Sequence, residues 1–374
     1  HASTAASTLA SDAAAMATRS TLIAPPFQFL VRLVAREILL RRRDALGEVA
    51  AGLADPAVRS VEMDAPVSAA QDPNVSDQWG VMSVQAPTAW LATRGAGVTV
   101  AVVDTGVDAG HEDLAGQVLP GVDLMGRRTS AESSDLNGHG THVAAIIAAA
   151  DNGVGGVGVA PQARILPIRV LDADGAGYAG DVAEGIVWAV DHGAQVINLS
   201  LGGPVPSQAQ AAAVEYAGER GVAIVVAAGN SGPGAVPDYP AAFEGVTAVA
   251  AATPQKAVAS FSSRGTYVDL AAPGTMILSA LPGNHYAHQS GSSMAAPFVA
   301  GVAALLYALD PDLDVAGVLT STATDIDVPG PDVASGAGLV CALCAVEAVV
   351  GPVIQPAQVQ PGPETGPVSA PVSW

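Results

Sequence analysis

Three short segments carry the residue types that nucleophilic acyl transfer requires. Asp104-Thr105-Gly106 follows an apolar run, Asn137-Gly138-His139-Gly140-Thr141-His142 precedes a helical pattern, and Ser290-Gly291-Ser292-Ser293-Met294-Ala295-Ala296-Pro297 opens a second one. A serine hydroxyl is a weak nucleophile unless an imidazole takes its proton, and an acid must fix the imidazole's tautomer and stabilise the imidazolium. A serine at a helix start also gains a backbone N–H and a favourable dipole for an oxyanion. Asn230, in VVAAGNSG, is a candidate second donor. Taken singly, each residue has an ordinary reading. Asp104 suits a turn, Ser292 or Ser293 suits a helix cap, and His139 with His142 would make a metal pair lacking a third ligand. Taken together they point to a serine-hydrolase site. His142 is read as structural, and His111, His192, His285 and His288 fit no partner set.

The elements that position these groups are legible as well. Fully apolar, β-branched runs recur at 98–103, 165–170, 196–200, 222–228 and 246–251, with helical stretches at 139–150, 179–191, 208–220 and 294–309. Strands without polar alternation are buried on both faces, so the pattern predicts a doubly wound α/β domain over residues 72–350, a mostly parallel sheet with helices on both faces. Such sheets place function at the carboxyl ends of their strands, where Asp104 falls. Pro297 is expected in the first turn of its helix, where a missing N–H costs nothing.

VAVVDTGVD, NGHGTHVA, INLSLGG, AAGN and GSSMAAPFVAG, in that order, resemble the five signature segments of the subtilisin-type serine proteases, the subtilases. The resemblance implies a serine endopeptidase with Asp104, His139 and Ser293 as triad. It implies Asn230 and the Ser293 N–H as oxyanion donors, and Ser200, Leu201 and Gly202 as the strand that pairs with substrate. Three positions depart from the family pattern: Ser292 for Thr, Ala145 for Gly and Phe298 for His. None removes a catalytic group. The resemblance also implies a structural calcium ion held by Asp72, Asp113 and Asn152 with carbonyls of Ala150, Val154 and Gly156, the hard-oxygen set that Ca²⁺ takes. The resemblance also implies that Asp238, just before Tyr239-Pro240, lies near the base of the P1 pocket, and its charge suggests a preference for Arg or Lys there. AVRSVEMDAPV (57–67) resembles the end of an inhibitor-type propeptide, so residues 1–71 are expected to be a leader that acts as chaperone and inhibitor of a zymogen. Within it, 27–43 reads as an amphipathic helix or a strand running into a helix, and 46–70 as a short helix and then a strand.

Composition bounds the alternatives. The 374 residues are half hydrophobic and carry a net charge of −20, which excludes global disorder and disfavours nucleic-acid partners. Residues 1–60 hold seven Arg against five acids, whereas the remainder has eight basic residues against thirty acids. No apolar run reaches the ~20 residues of a membrane helix. Polypeptide substrates, a monomer, and a secreted or cell-envelope location are expected. Residues 351–374 read as a Pro-rich flexible tail. Cys341 and Cys344 lie in GLVCALCAVEAVV, which reads as the inside of a buried helix with both cysteines as small hydrophobes. Two rival functions share these residues: an inert binding protein that kept the fold, and a maturation protease of narrow specificity.

Overall fold

The computed structural model describes residues 72–125 and 134–353, and the backbone of three strands nearer the N-terminus. The chain divides into two compact units. In the first, β1 (Gln28–Leu33) pairs antiparallel with both β2 (Leu39–Arg43) and β3 (Val58–Met63). The strand expected within 57–67 is therefore present. Residues 28–43 hold two strands where a helix, or a strand entering one, was expected. The short helix expected early in 46–70, and the tail beyond Val353, lie outside the described residues.

The second unit, Ala70–Pro356, carries the predicted α/β body. Its elements in chain order are α1 (Trp79–Ser83), α2 (Ala86–Ala89), β4 (Thr99–Asp104), β5 (Val122–Asp123), α3 (His139–Ala148) and β6 (Arg164–Arg169). There follow α4 (Ala179–Asp191), β7 (Val196–Leu199), α5 (Gln208–Gly218), β8 (Ala223–Ala227), β9 (Thr247–Ala252) and β10 (Leu270–Pro273). The hairpin β11 (Ile277–Leu281) and β12 (His285–Gln289) leads into α6 (Ser292–Tyr307), α7 (Val315–Ser321) and α8 (Ala342–Val350). Seven parallel strands form one sheet in the order β10-β9-β8-β7-β4-β6-β5.

The absence of polar alternation in these strands has a direct structural counterpart. Along β4, Val100 and Val102 join one core with α3 and α6, while Ala101 and Val103 join another with α4 and α5. Side chains on a strand alternate faces, so both faces of β4 are covered by helices. The chain leaves β4 for β6 on one side and returns to β7 on the other, which makes the carboxyl end of β4 the switch point of the sheet. Asp104 is the last residue of β4.

Two expectations are corrected. First, α6 begins at Ser292, so Pro297 sits in its second turn and not its first. A proline there has no N–H to offer the carbonyl four residues back, that of Ser293. The Ser200 hydroxyl donates to that carbonyl instead, at 2.7 Å. Second, the cysteines are not thiols inside a helix. Cys341 is the N-cap of α8 and is disulfide-bonded to Cys344. The apolar pattern of GLVCALCAVEAVV hid the boundary, because Gly-Leu-Val enters the helix as buried extended chain bridged to Ala271 and Thr324.

Candidate active site

Asp104 is fully buried, and its Oδ1 accepts from the Thr105 N–H at 2.7 Å and from His139 Nδ1 at 2.8 Å. A carboxylate can only accept, so the Nδ1 of His139 carries the proton and Nε2 is the free base. Asp104 Oδ2 is buried with no partner among the described residues.

His139 is the first residue of α3, and its placement depends on a carboxylate that motif reading overlooked. Asp135 is buried and accepts five hydrogen bonds: from the N–H groups of Asn137, Gly138 and Thr141 and from the hydroxyls of Thr105 and Thr141, at 2.7–3.0 Å. It thereby satisfies backbone donors that a helix N-terminus otherwise leaves open. Gly138 precedes the helix at φ 101°, a left-handed value that favours glycine. At Gly140, a Cβ would collide with the Gly106 carbonyl. The signal available in the sequence was an Asp three residues ahead of the glycine that starts the helix. Burial pushes the imidazole pKa of His139 down, but the Asp104 charge, its hydrogen bond and the Asp135 charge outweigh burial, and the net shift is upward.

Ser293 is the second residue of α6. Its hydroxyl donates to the Ser200 carbonyl at 3.1 Å rather than to His139. Ser200 and His139 line one cleft of about 550 Å³, together with Gly175, Tyr178, Gly202 and Tyr239. Asn230 accepts from the Ser292 N–H through Oδ1 at 2.8 Å, which turns its amide nitrogen the other way. A methyl placed on Gly291 would lie 3.4 Å from that nitrogen and 3.7 Å from the Ser293 N. The Asn230 amide and the Ser293 N therefore lie on the same side of Gly291. Ser292 keeps the role of a hydroxyl at its position by accepting from the Gly229 N–H at 3.1 Å. Phe298 is buried against Gly80, where no side chain would fit beside the ring. Ala145 lies in the same core.

Ser200, Leu201 and Gly202 continue from β7, and Gly203 then pairs antiparallel with Tyr239. The Asp238 carboxylate lies between two glycines: a Cβ on Gly229 would collide with it, and one on Gly202 would sit 3.4 Å from its Cβ. Burial pushes its pKa up. Asp238 forms none of the ion pairs found among the described residues.

A second polar cluster joins Asp72, Asp113 and the loop 150–156. Asp72 Oδ1 accepts from Gly153, Asp113 Oδ2 accepts from Gly156 at 3.0 Å, and the Ala150 N–H donates to the Asp113 carbonyl at 2.8 Å. Asn152 lies in the same loop but spends its side chain locally, on the Glu112 carbonyl and the Val154 N–H. Gln78, also not anticipated, clamps the Val157 backbone through both ends of its amide. Asp72 Oδ2 is buried and unpartnered. Burial raises the pKa of both Asp72 and Asp113, and each is affected by neighbouring negative charge. Among the described residues no group of three or more His, Cys, Asp or Glu is disposed to hold a metal.

The subtilase family profile matches residues 95–338. Thermitase of Thermoactinomyces vulgaris is 48% identical over 232 residues, 62% of this chain and 82% of its own length. An alkaline protease of Alkalihalobacillus alcalophilus is 42% identical over 290 residues, 76% of this chain and 73% of its own. A solved structure of a protease from Pseudoalteromonas arctica is 34% identical with a TM-score of 0.69, covering 75% of this chain and all of that one. The fold is thus a subtilase fold, and the chain belongs to the subtilase family. It is a serine endopeptidase, a hydrolase acting on peptide bonds.

Proposed function

We propose that Asp104, His139 and Ser293 form the catalytic triad and that Asn230 and the Ser293 N–H form the oxyanion hole. The observation that carries this reading is the hydrogen bond between His139 Nδ1 and the buried Asp104 carboxylate, which leaves Nε2 as the base, with Ser293 in the first turn of α6. As substrate enters, the Ser293 hydroxyl turns from the Ser200 carbonyl to His139 Nε2, which takes its proton while Oγ bonds the scissile carbonyl carbon. Catalytic hydrogen bonds of this kind often tighten only when substrate is bound. The developing oxyanion is held by the two donors, the leaving amine receives the proton from His139, and water then hydrolyses the acyl-enzyme. The chain of Ser200, Leu201 and Gly202 adds to the substrate backbone as a neighbouring strand. An inert scaffold would be expected to have lost one of these groups, and all are present. Cleavage of casein by the wild type and its loss in Ser293→Ala tests the reading.

Three further assignments rest on separate features. Asp238 lies between Gly202 and Gly229 without an ion pair, which favours a cationic P1 side chain. Asp72, Asp113 and Asn152, with the carbonyls of Ala150, Val154 and Gly156, are proposed to hold a Ca²⁺ ion. The support is the unpartnered buried Asp72 Oδ2 beside a second buried carboxylate, a cost that a hard cation removes. The ion would supply cohesion of the loop and no chemical step. Residues 1–71, with the antiparallel sheet β2-β1-β3, are proposed to be the propeptide of a zymogen. An exported enzyme is consistent with the Cys341–Cys344 disulfide, since disulfides persist in oxidising compartments; polypeptide substrates and a monomer are proposed with it.

A further inference from the structure

The Cys341–Cys344 pair lies beyond the segment matched by the family profile and plays no part in the site described above. Its placement is unlike that of a staple. It joins residues only three apart in sequence, so it removes little entropy from the unfolded chain. It also caps the start of the nine-residue helix α8 after an extended, bridged segment.

The two sulfurs have different surroundings. Cys341 is buried, 3% exposed, and its sulfur faces two donors: the Cys344 backbone N–H at 3.1 Å and the Gln85 side-chain amide at 3.5 Å. Gln85 is itself held by its backbone at the start of α2, and Val84 beside it accepts from the Ala342 N–H at 2.7 Å. N–H donors and a helix N-terminus both favour negative charge on sulfur. Cys344 is only half-buried and is thus the more accessible residue of the pair.

We propose that Cys341–Cys344 is a thiol–disulfide exchange site for low-molecular-weight thiols, modified at Cys344 and releasing Cys341 as a stabilised thiolate. An incoming thiolate bonds to Cys344 Sγ, the Cys341–Cys344 bond breaks, and its electron pair stays on Cys341 Sγ. With a dithiol, the second thiol loses its proton to solvent and attacks its partner sulfur in the mixed disulfide. Cys344 then leaves as thiolate and is protonated. The dithiol ends as a cyclic disulfide and the protein as two cysteines, a balanced two-electron exchange. Exchange is fastest when the departing sulfur is the better stabilised as thiolate, and Cys341 is the sulfur that faces two N–H donors.

The experiment uses the full chain carrying Ser293→Ala, which prevents self-digestion and leaves this region untouched. The folded protein is treated with dithiothreitol without denaturant, quenched in acid and alkylated with a maleimide. Because the chain has only two cysteines, the mass should rise by two adducts, with near-ultraviolet circular dichroism unchanged. Glutathione in place of the dithiol should leave a mixed disulfide that peptide mapping assigns to Cys344. In Cys344→Ser, absorbance at 240 nm should show at least tenfold more thiolate at pH 7 than free cysteine, whose pKa is about 8.5, and Gln85→Met should cut that fraction severalfold. Alkylation only after denaturant is added, a mixed disulfide on Cys341, or a thiolate fraction like that of free cysteine would each overturn the proposal. The arm with both cysteines intact needs no cysteine substitution, so misfolding of a cysteine variant does not decide the outcome.

Discussion

At the residue scale, the proposed oxyanion role of Asn230 and the hydrogen bonds of Asp135 at the start of α3 call for different tests. If Asn230 is an oxyanion donor, Asn230→Ala should lower kcat by about 10²–10³ with little change in KM. Asp135→Asn should act differently. It keeps the shape of the side chain but removes a negative charge that raises the His139 pKa. Catalysis needs neutral His139, so activity rises with pH through that raised value. Loss of the Asp135 charge lowers it, and the acid limb of kcat/KM should move to lower pH. A purely structural role would lower kcat and leave the limb in place. The same upward shift has a consequence for stability. The pairing of protonated His139 with Asp104 is fully present below the unfolded imidazole value of about 6.5, and it is lost as pH rises through the folded value. If Asp238 sets P1 preference, Asp238→Ser should reduce the kcat/KM ratio of matched P1-Arg to P1-Leu peptides, about tenfold for each 1.4 kcal/mol of lost charge complementarity. An unchanged ratio would remove Asp238 from specificity.

At the element scale, much was legible. Apolar runs without alternation marked the buried parallel strands β4, β6, β7, β8 and β9, and the 3.6-residue pattern placed α4 over 179–191, as observed. What escaped notice had physical reasons. β5 spans two residues, too short to carry a period. The hairpin β11–β12 is half-exposed and mixed in polarity, and its partners lie far away: His111, Glu112, Asp113 and His142 on segments more than 140 residues earlier. Asp135 was missed because it does no chemistry itself. The disulfide was missed because nothing local separates the N-cap of an apolar helix from its interior. The loop 150–156 carries the prediction that belongs to this scale. Asp72 and Asp113 have folded pKa values above their unfolded ones, so without a cation each costs stability once pH exceeds the unfolded value of about 4. A chelator should therefore lower Tm at neutral pH and have a smaller effect in acid, where the carboxylates are protonated. Asp72→Asn should abolish the difference. Equal Tm with and without chelator at neutral pH would oppose a cation there.

For the whole molecule, the negative charge belongs to the protease body: residues 1–71 hold seven Arg against seven acids, while residues 72–374 hold eight basic residues against twenty-eight acids. A propeptide role for the neutral segment rests on its resemblance over 57–67 and not on charge. If residues 1–71 are a propeptide, wild-type protein should shorten to a new N-terminus between residues 66 and 72, read by intact mass, and Ser293→Ala should stay full length. The same N-terminus in both would end that reading without touching the triad.

The central claim is that Ser293, activated by His139 and Asp104, is the nucleophile. Its most direct measurement is the site of covalent modification by a fluorophosphonate, followed by peptide mapping of the adduct. One adduct per chain on Ser293, formed in the wild type and at least 10³-fold more slowly in His139→Ala, is the expected result. Modification of another residue, or an equal rate without the imidazole, would contradict the account.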